Sequence, residues 1–491
     1  MVLLYSTFSV FYNKLHEILS FRFMFSKKQK HGIIPIHFLR GIFMQNLTEG
    51  SIFKVLMKLS LPIMASAFLA TAYSITDLAW IGTLGSSAVA GVGVGGMYVW
   101  LSQGFSALAR MGGQVPMAQE LGRGNLEEAK KYAVTSLWVV TLFGLLFGGV
   151  CLIFTNPLVA FYNLDTAQTV LHAKGYLKIT CGMIIFSYIG YTLTGLYTAQ
   201  GDSKTPLKAN FIGLITNMIL DPVLILGIGP FPRLEVLGAA IATVIAHILV
   251  AVVLIIDIYR PNSKNILKTA NILKFPGIRY LKDIFRIGTP SALQSSMYCA
   301  FSMVLTRMVS GFGDGAIATQ RVGGQIESIT WNVADGFAAA LNAFSAQNFG
   351  AGKIDRVKKG YYISASFIAF WGTLIGILFI LFPKGIGNIF FHEPEVLAIA
   401  VGYLTIIAIG EPFMCVEIVS SGAISGLGNT KLCSLISILF TGSRIPLAYL
   451  LSQHTSLGLH GIWWALTLTS ICKGIVFTLA FQRESKQRVP V

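Results

Sequence analysis

The sequence predicts an all-α integral membrane protein of twelve transmembrane helices, built as two pseudo-symmetric six-helix halves. Three observations carry that reading. Of 491 residues, 54% are hydrophobic and 12% charged, about half the charged share of a soluble domain. Stretches free of Asp, Glu, Lys and Arg at 132–164, 236–256 and 360–383 each reach the roughly 20 apolar residues that span a bilayer. Finally, QELGRGNLEEAKK at 119–131 is echoed by QNFGAGKIDRVKK at 347–359, an internal repeat with an offset of 228 residues.

The same offset aligns Pro62 with Pro290, Gly85 with Gly313, Ala88 with Ala316 and Ala90 with Ala318. It shortens to 227 where Gly201-Asp202-Ser203-Lys204 meets Gly428-Asn429-Thr430-Lys431, and to 224 where Pro222 meets Pro446. Basic loops recur at equal spacing in both halves, so each half holds an even number of spans and the repeat is parallel.

In chain order, residues 1–45 form an apolar and basic leader with KKQK at 27–30. It lacks a signal-peptide cleavage site and reads as a peripheral segment or a mis-assigned start. The first half, 46–260, opens on the capped stretch Met44–Gly50 and places spans at 55–80, 87–113, 131–155, 170–199, 206–228 and 237–259. A basic, Pro- and Gly-punctuated linker follows at 261–282. The second half, 283–482, places spans at 283–310, 316–346, 358–382, 396–426, 432–452 and 458–481, and residues 483–491 form a tail.

The net charge is +16, from 37 Lys and Arg against 21 Asp and Glu. In a membrane chain that excess is first a topology signal. Loops on the side where the first helix starts hold 22 basic residues, among them Arg123, Lys130, Lys204, Lys353 and Lys431, against 4 opposite: Lys174, Lys178, Arg233 and Lys384. Both termini are therefore expected in the cytoplasm, with no nucleic-acid partner. The six cysteines lie singly in apolar segments without metal or redox spacing and read as small hydrophobes. GVGVGG at 91–96 lies inside the second span, with no preceding strand and no GK[ST], so it reads as close helix packing and not as a phosphate loop. Without a nucleotide motif, transport would draw on an ion gradient.

Ionisable residues at membrane depth are functional candidates, because a charge there costs at least a few kcal/mol. Asp77 lies near the end of the first span with Tyr73 one turn before it, and Asp221 lies in the fifth with Asn217 one turn before it. Two carboxylates with neutral oxygens nearby suit a hard monovalent cation or a shared proton. Asp77 also reads as a helix-end residue at the outer interface, and a salt bridge to Arg110 is open to either carboxylate. The repeat aligns Asp77 with Leu305 and puts Asp221 near Arg444, so the acidic pair belongs to one half only. Secondary candidates are Arg110, Glu327, Asp335, Glu417 and Arg444. Glu327 with Arg321, and Glu417, read as structural ion pairs or anchors; His247 reads as a packing residue.

With LTEGSIFKVLMKLSLPIM at 47–64, YSITDLAWIGTLG at 73–85, AQELGRGN at 118–125, GDSKTPL at 201–207, NMILDPVLI at 217–225, LGAAIATVI at 237–245, QIES at 325–328 and QNFGAGK at 347–353, the chain resembles the multidrug and toxic compound extrusion (MATE) transporters over roughly residues 45–482. The resemblance implies two lobes around a central cavity that opens alternately to each side. It implies a monomer in the bacterial inner membrane, in contact with lipid, exporting organic cations or drugs in exchange for Na⁺ or H⁺, without a cofactor and without enzymatic activity. In the prokaryotic members, positions matching Tyr73, Asp77, Asn217, Asp221 and Thr243 form the cation site, Na⁺ falling to Asp77, Asn217, Asp221 and Thr243. The chain departs from the pattern in carrying Arg110 and Asp335, and in having no carboxylate between Thr289 and Thr306. A flippase for lipid-linked saccharides shares the architecture and would draw on Arg307, Arg321 and Arg444. An intramembrane lipid-modifying enzyme would need an acid or metal motif that is not seen.

Overall fold

A computed structural model describes residues 47–164, 166–261, 263–391 and 393–487. The leader expected at 1–45 and the end of the tail lie outside these residues. Fifteen helices, and no strand among the described residues, build the fold. They are α1 (Ile52–Gly82), α2 (Ser86–Gly122), α3 (Leu126–Ile153), α4 (Thr155–Ala160), α5 (Ala167–Gly182), α6 (Ile184–Ala199), α7 (Lys204–Leu226) and α8 (Val236–Tyr259) in the first lobe. The second holds α9 (Ile278–Ser310), α10 (Asp314–Gly350), α11 (Ile354–Leu381), α12 (Pro383–Asn388), α13 (Pro394–Gly426), α14 (Thr430–Gln453) and α15 (Leu459–Gln487). With α5 and α6 taken as one bent span and the six-residue α4 and α12 as appendages of α3 and α11, each lobe has six spans.

The repeat is visible in the backbone. Gly85 and Gly313 precede α2 and α10 with φ of 103° and 98°, a conformation open to glycine and costly for other residues. Asp202 and Asn429, repeat mates ahead of α7 and α14, accept in the same way from the Thr205 and Leu432 amides. The symmetry fails at the fourth span. Its second-lobe counterpart α13 is continuous over 33 residues, whereas the expected helix 170–199 breaks at Met183 into α5 and α6, bent by 45°. Gly182 weakens the helix there, and Gly148 brings the α3 backbone directly against the Cys181 and Gly182 carbonyls.

Other boundaries also move. α2 and α10 continue to Gly122 and Gly350, beyond the expected ends at 113 and 346, because the added turns are buried between the lobes. α9 begins at Ile278, right after Gly277 at φ 134°, inside the segment expected as linker. The linker itself is anchored: the Ile266 amide donates to Gln200 Oε1 at 3.1 Å, and Leu267 is buried.

The lobes close on each other at the end that carries the basic loops. From Gly112 to Ala118 and from Ala340 to Asn348 every residue is buried. Gln114 Nε2 donates to Asn342 Oδ1 at 3.2 Å across the pseudo-twofold axis. A Cβ at Gly122 would strike the Gln347 carbonyl, and one at Gly350 the Gln119 carbonyl. The segment before α1 reinforces this seal, since Arg356 donates to the Gly50 and Glu49 carbonyls at 2.8 and 2.7 Å.

Among the described residues eight helices are long and apolar enough to cross a membrane, and the bent pair adds a ninth. The three remaining spans, α2, α9 and α10, are more polar because they wall the interior of the molecule.

Candidate functional site

In the first lobe α1 carries Tyr73 and Asp77, α7 carries Asn217 and Asp221, and α8 carries Thr243; the fold brings all five together. Tyr73 OH and Thr243 Oγ1 share a hydrogen bond of 2.9 Å. Asn217, with its amide turned to satisfy both neighbours, donates to Asp221 Oδ2 at 2.8 Å and accepts from the Thr243 amide at 3.2 Å. Asn217 and Asp221 are fully buried. The Asp77 and Asp221 side chains lie within hydrogen-bonding reach of each other, and Asp77 Oδ1 is buried with no partner. Two carboxylates so placed repel unless a proton or a cation sits between them. Among the described residues no Lys or Arg forms an ion pair with either. An open oxygen on Asp77, a second carboxylate and the neutral oxygens of Asn217 and Thr243 fit a monovalent cation or a proton.

Tyr176 of α5 also faces this cluster, close enough to interact electrostatically with Tyr73, Asp77 and Asp221. The sequence reading missed it. The only trace was GVGVGG: Gly91 lies against His172 and Ala173, and Gly95 against the Tyr176 ring, so those glycines let α2 press α5 onto the acidic pair.

The second feature is a cavity of about 710 Å³ between the lobes. α2 and α6 wall it from the first lobe and α9, α10, α13, α14 and α15 from the second. None of the five cluster residues lines it, so the acidic pair and the cavity are separate compartments. α1 bridges them: Asn332 of α10 donates to Thr71 Oγ1 of α1 at 3.2 Å, between the cavity residues Trp331 and Asp335 and less than two turns from Asp77.

All five secondary candidates line this cavity, and Glu327 has a partner other than the expected Arg321. Glu327 accepts from the Tyr403 hydroxyl and makes no ion pair with Arg321, which is exposed and outside the cavity lining. Glu417 pairs with Lys473 at 2.6 Å, and Lys473 also donates to Thr441 Oγ1 at 3.2 Å. Arg444 donates from Nε to Thr469 Oγ1 and from Nη2 to Ser470 Oγ, both at 3.0 Å. Arg110 faces Asp335 and Tyr191, so the proposed salt bridge to Asp77 or Asp221 does not form. Arg307 and Arg321 do not line the cavity, which leaves the saccharide-flippase reading with Arg444 alone of its three arginines. Glu411, 1% exposed, has both carboxylate oxygens unpartnered beside Thr330. Among the described residues no group of three or more His, Cys, Asp or Glu could hold a metal ion.

Comparison with known proteins gives one family model, MatE, which matches twice, over residues 62–223 and 290–450. The chain is similar to a probable multidrug resistance protein NorM of Thermotoga maritima, 28% identical over 87% of this chain and 92% of that protein. It is also similar to an FAD transporter of Shewanella oneidensis, 26% identical over 89% of this chain and 96% of that one. Among solved structures it shares its fold with an outward-facing conformation of a multidrug resistance MATE family transporter of the MOP superfamily. That match has a TM-score of 0.83 at 20% identity, over 90% of this chain and 97% of the other.

Proposed function

The chain belongs to the MatE family, whose members are transporters and not enzymes, and from that premise we propose that it is a secondary active multidrug exporter. It expels organic compounds that carry a cationic group from the cytoplasm by alternating access, in exchange for Na⁺ or H⁺ bound at Asp77 and Asp221. It sits in the bacterial plasma membrane as a monomer, with both termini cytoplasmic.

The observation that carries this reading is the buried approach of Asp77 to Asp221 without a basic partner. A buried carboxylate pair is tolerated when a mobile cation supplies the missing charge. Asn217, Tyr73 and Thr243 position the pair and offer neutral oxygens to a bare cation. The cavity supplies the substrate compartment. With the lobes sealed at the basic-loop end, it faces the opposite side of the membrane, the exterior in the proposed orientation. Because the two compartments are separate, exchange runs through the helices: cation binding on α1 and α7 alters α1, which Asn332 ties to the cavity wall. Substrate and cation then oppose each other with a coupling of about 1–3 kcal/mol, as linkage between sites requires.

The test is efflux of a fluorescent cation from proteoliposomes with Na⁺ and pH gradients imposed separately. Export under at least one inward cation gradient, and none without a gradient, is the expected result. Equal efflux without a gradient would refute exchange.

A further inference from the structure

Of the charged side chains that line the cavity, most are already committed. Lys473 is held by Glu417 and Thr441, Arg444 by Thr469 and Ser470, and Glu327 by Tyr403. Glu411 is buried in the wall. Arg110 and Asp335 differ. Each is exposed to the cavity and, among the described residues, neither makes a hydrogen bond or ion pair. They project from α2 and α10, the helices that cross at the pseudo-twofold axis, and feel each other's charge across the gap without closing it.

That arrangement is neither a structural ion pair nor a general acidic trap for cations. An unpartnered guanidinium facing open space repels a purely cationic ligand and presents a planar fork to a carboxylate or similar anion. The carboxylate opposite offers a counter-charge to an ammonium or amidinium group. Tyr191, Tyr298, Trp100 and Trp331 line the same cavity, faces on which a flat ring system stacks. A volume near 710 Å³ lies in the range for drug-sized ligands.

We infer that the cavity selects amphoteric aromatic compounds, Arg110 binding the anionic group of the substrate and Asp335 its cationic group. The inference rests on the export reading for the compartment but concerns which substrates enter it. It assigns to Arg110 and Asp335, the two departures from the family pattern, the role of specificity determinants.

The test uses one ring skeleton in three charge states. Rhodamine 110 carries a carboxylate and a cationic xanthene, rhodamine 123 is its methyl ester and lacks the anion, and fluorescein lacks the cation. Binding to the full-length protein in lipid nanodiscs is read by fluorescence anisotropy. The parent should bind rhodamine 110 about tenfold or more tighter than either relative, the scale of a charged hydrogen-bonded contact. Arg110→Gln should erase the preference over rhodamine 123 while leaving rhodamine 123 affinity equal or improved, and Asp335→Asn should erase the preference over fluorescein. The exchanged double variant Arg110→Asp with Asp335→Arg should restore part of the amphoteric preference. Equal binding of rhodamine 110 and rhodamine 123 by the parent, or no binding of rhodamine 110, overturns the inference without needing any variant to fold. Selective binding without efflux from proteoliposomes would instead overturn the export reading and leave the site assignment standing.

Discussion

Gln119 and Gln347 make the same bond in opposite directions: Gln119 Nε2 donates to the Gly426 carbonyl at 3.0 Å, and Gln347 Nε2 donates to the Ala199 carbonyl at 2.6 Å. Each reaches from the end of one axial helix to the end of the fourth span in the other lobe. Two bonds, related by the pseudo-twofold axis, thus fasten the same end of the molecule. Because both glutamines donate to backbone, the fastening depends on helix ends meeting and not on any particular opposing side chain.

A side chain at Gly122 or Gly350 should hold this end open. Gly350→Leu would drive its Cβ into the Gln119 carbonyl, a clash with backbone that rotamer changes cannot relieve. Spin labels at the exposed, repeat-related positions Glu127 and Asp355 should move apart in this variant, with loss of export. An unchanged label distance would show that the seal tolerates the added bulk.

Asp77→Asn and Asp221→Asn should each abolish gradient-driven export while the protein still elutes as a folded species. The amide keeps the shape of the cluster but removes the charge for which cation and proton compete. Efflux in proteoliposomes is the measurement, and full export by Asp221→Asn would move the coupling site elsewhere, with Glu327, Asp335 and Glu417 next in line.

Asn332→Ala should uncouple the two compartments. Loss of its bond to Thr71 leaves both sites intact but removes a direct tie between α1 and the cavity wall. Substrate affinity should then change with Na⁺ or pH by less than in the parent, although affinity in the absence of either perturbation stays the same. Titrations of one fluorescent substrate with and without Na⁺, and across pH 5.5 to 8, read the difference.

Lys473→Met should destabilise the second lobe strongly. It would leave Glu417 buried without the partner that now sits 2.6 Å away, a loss of about 3–5 kcal/mol for a broken buried pair. Adding Glu417→Gln should recover most of the thermal stability, measured by loss of monodisperse protein on heating. If the single variant melts with the parent, the pair is more hydrated than its burial implies.

Orientation can be read directly. A cysteine at Lys204 should label only from the cytoplasmic side of intact cells and inverted vesicles, and one at Arg233 only from outside. Labelling of Lys204 from outside would invert the topology.

Much of the architecture was legible because the repeat is written in residues with a strict backbone role. Gly85 and Gly313, or Gln119 and Gln347, align in sequence and occupy matching places in space. The break at Met183 was not legible: its cause is partly Gly148 on another helix, and nothing local forces it. The extra turns of α2 and α10 looked like loops because Glu120 and Gly122 suggest an exposed end, whereas burial against the other lobe keeps them helical. In the acidic cluster, helical spacing grouped Tyr73 with Asp77 and Asn217 with Asp221, but Tyr176 had no such cue. Arg110 and Asp335 stood out as charges, yet their facing across a cavity is a tertiary fact carried by helices more than 200 residues apart.

The polarity of α2, α9 and α10 bears on how the chain enters the membrane in the first place. A helix that is insufficiently apolar on its own gains little from lipid and must be sheltered by neighbours. α2 emerges early, but the partner that backs its Leu108 and Gly112 is α9, through Gly288 and Ile284, which is synthesised much later. α9 and α10 follow one another, and their own neighbours α13 and α14 come later still. The face of α2 at Leu108 and Gly112 therefore stays uncovered until the second lobe is translated, even though its other faces find neighbours within the first lobe. Severing the chain in the linker would separate these late partners at the stage when the polar helices depend on them most.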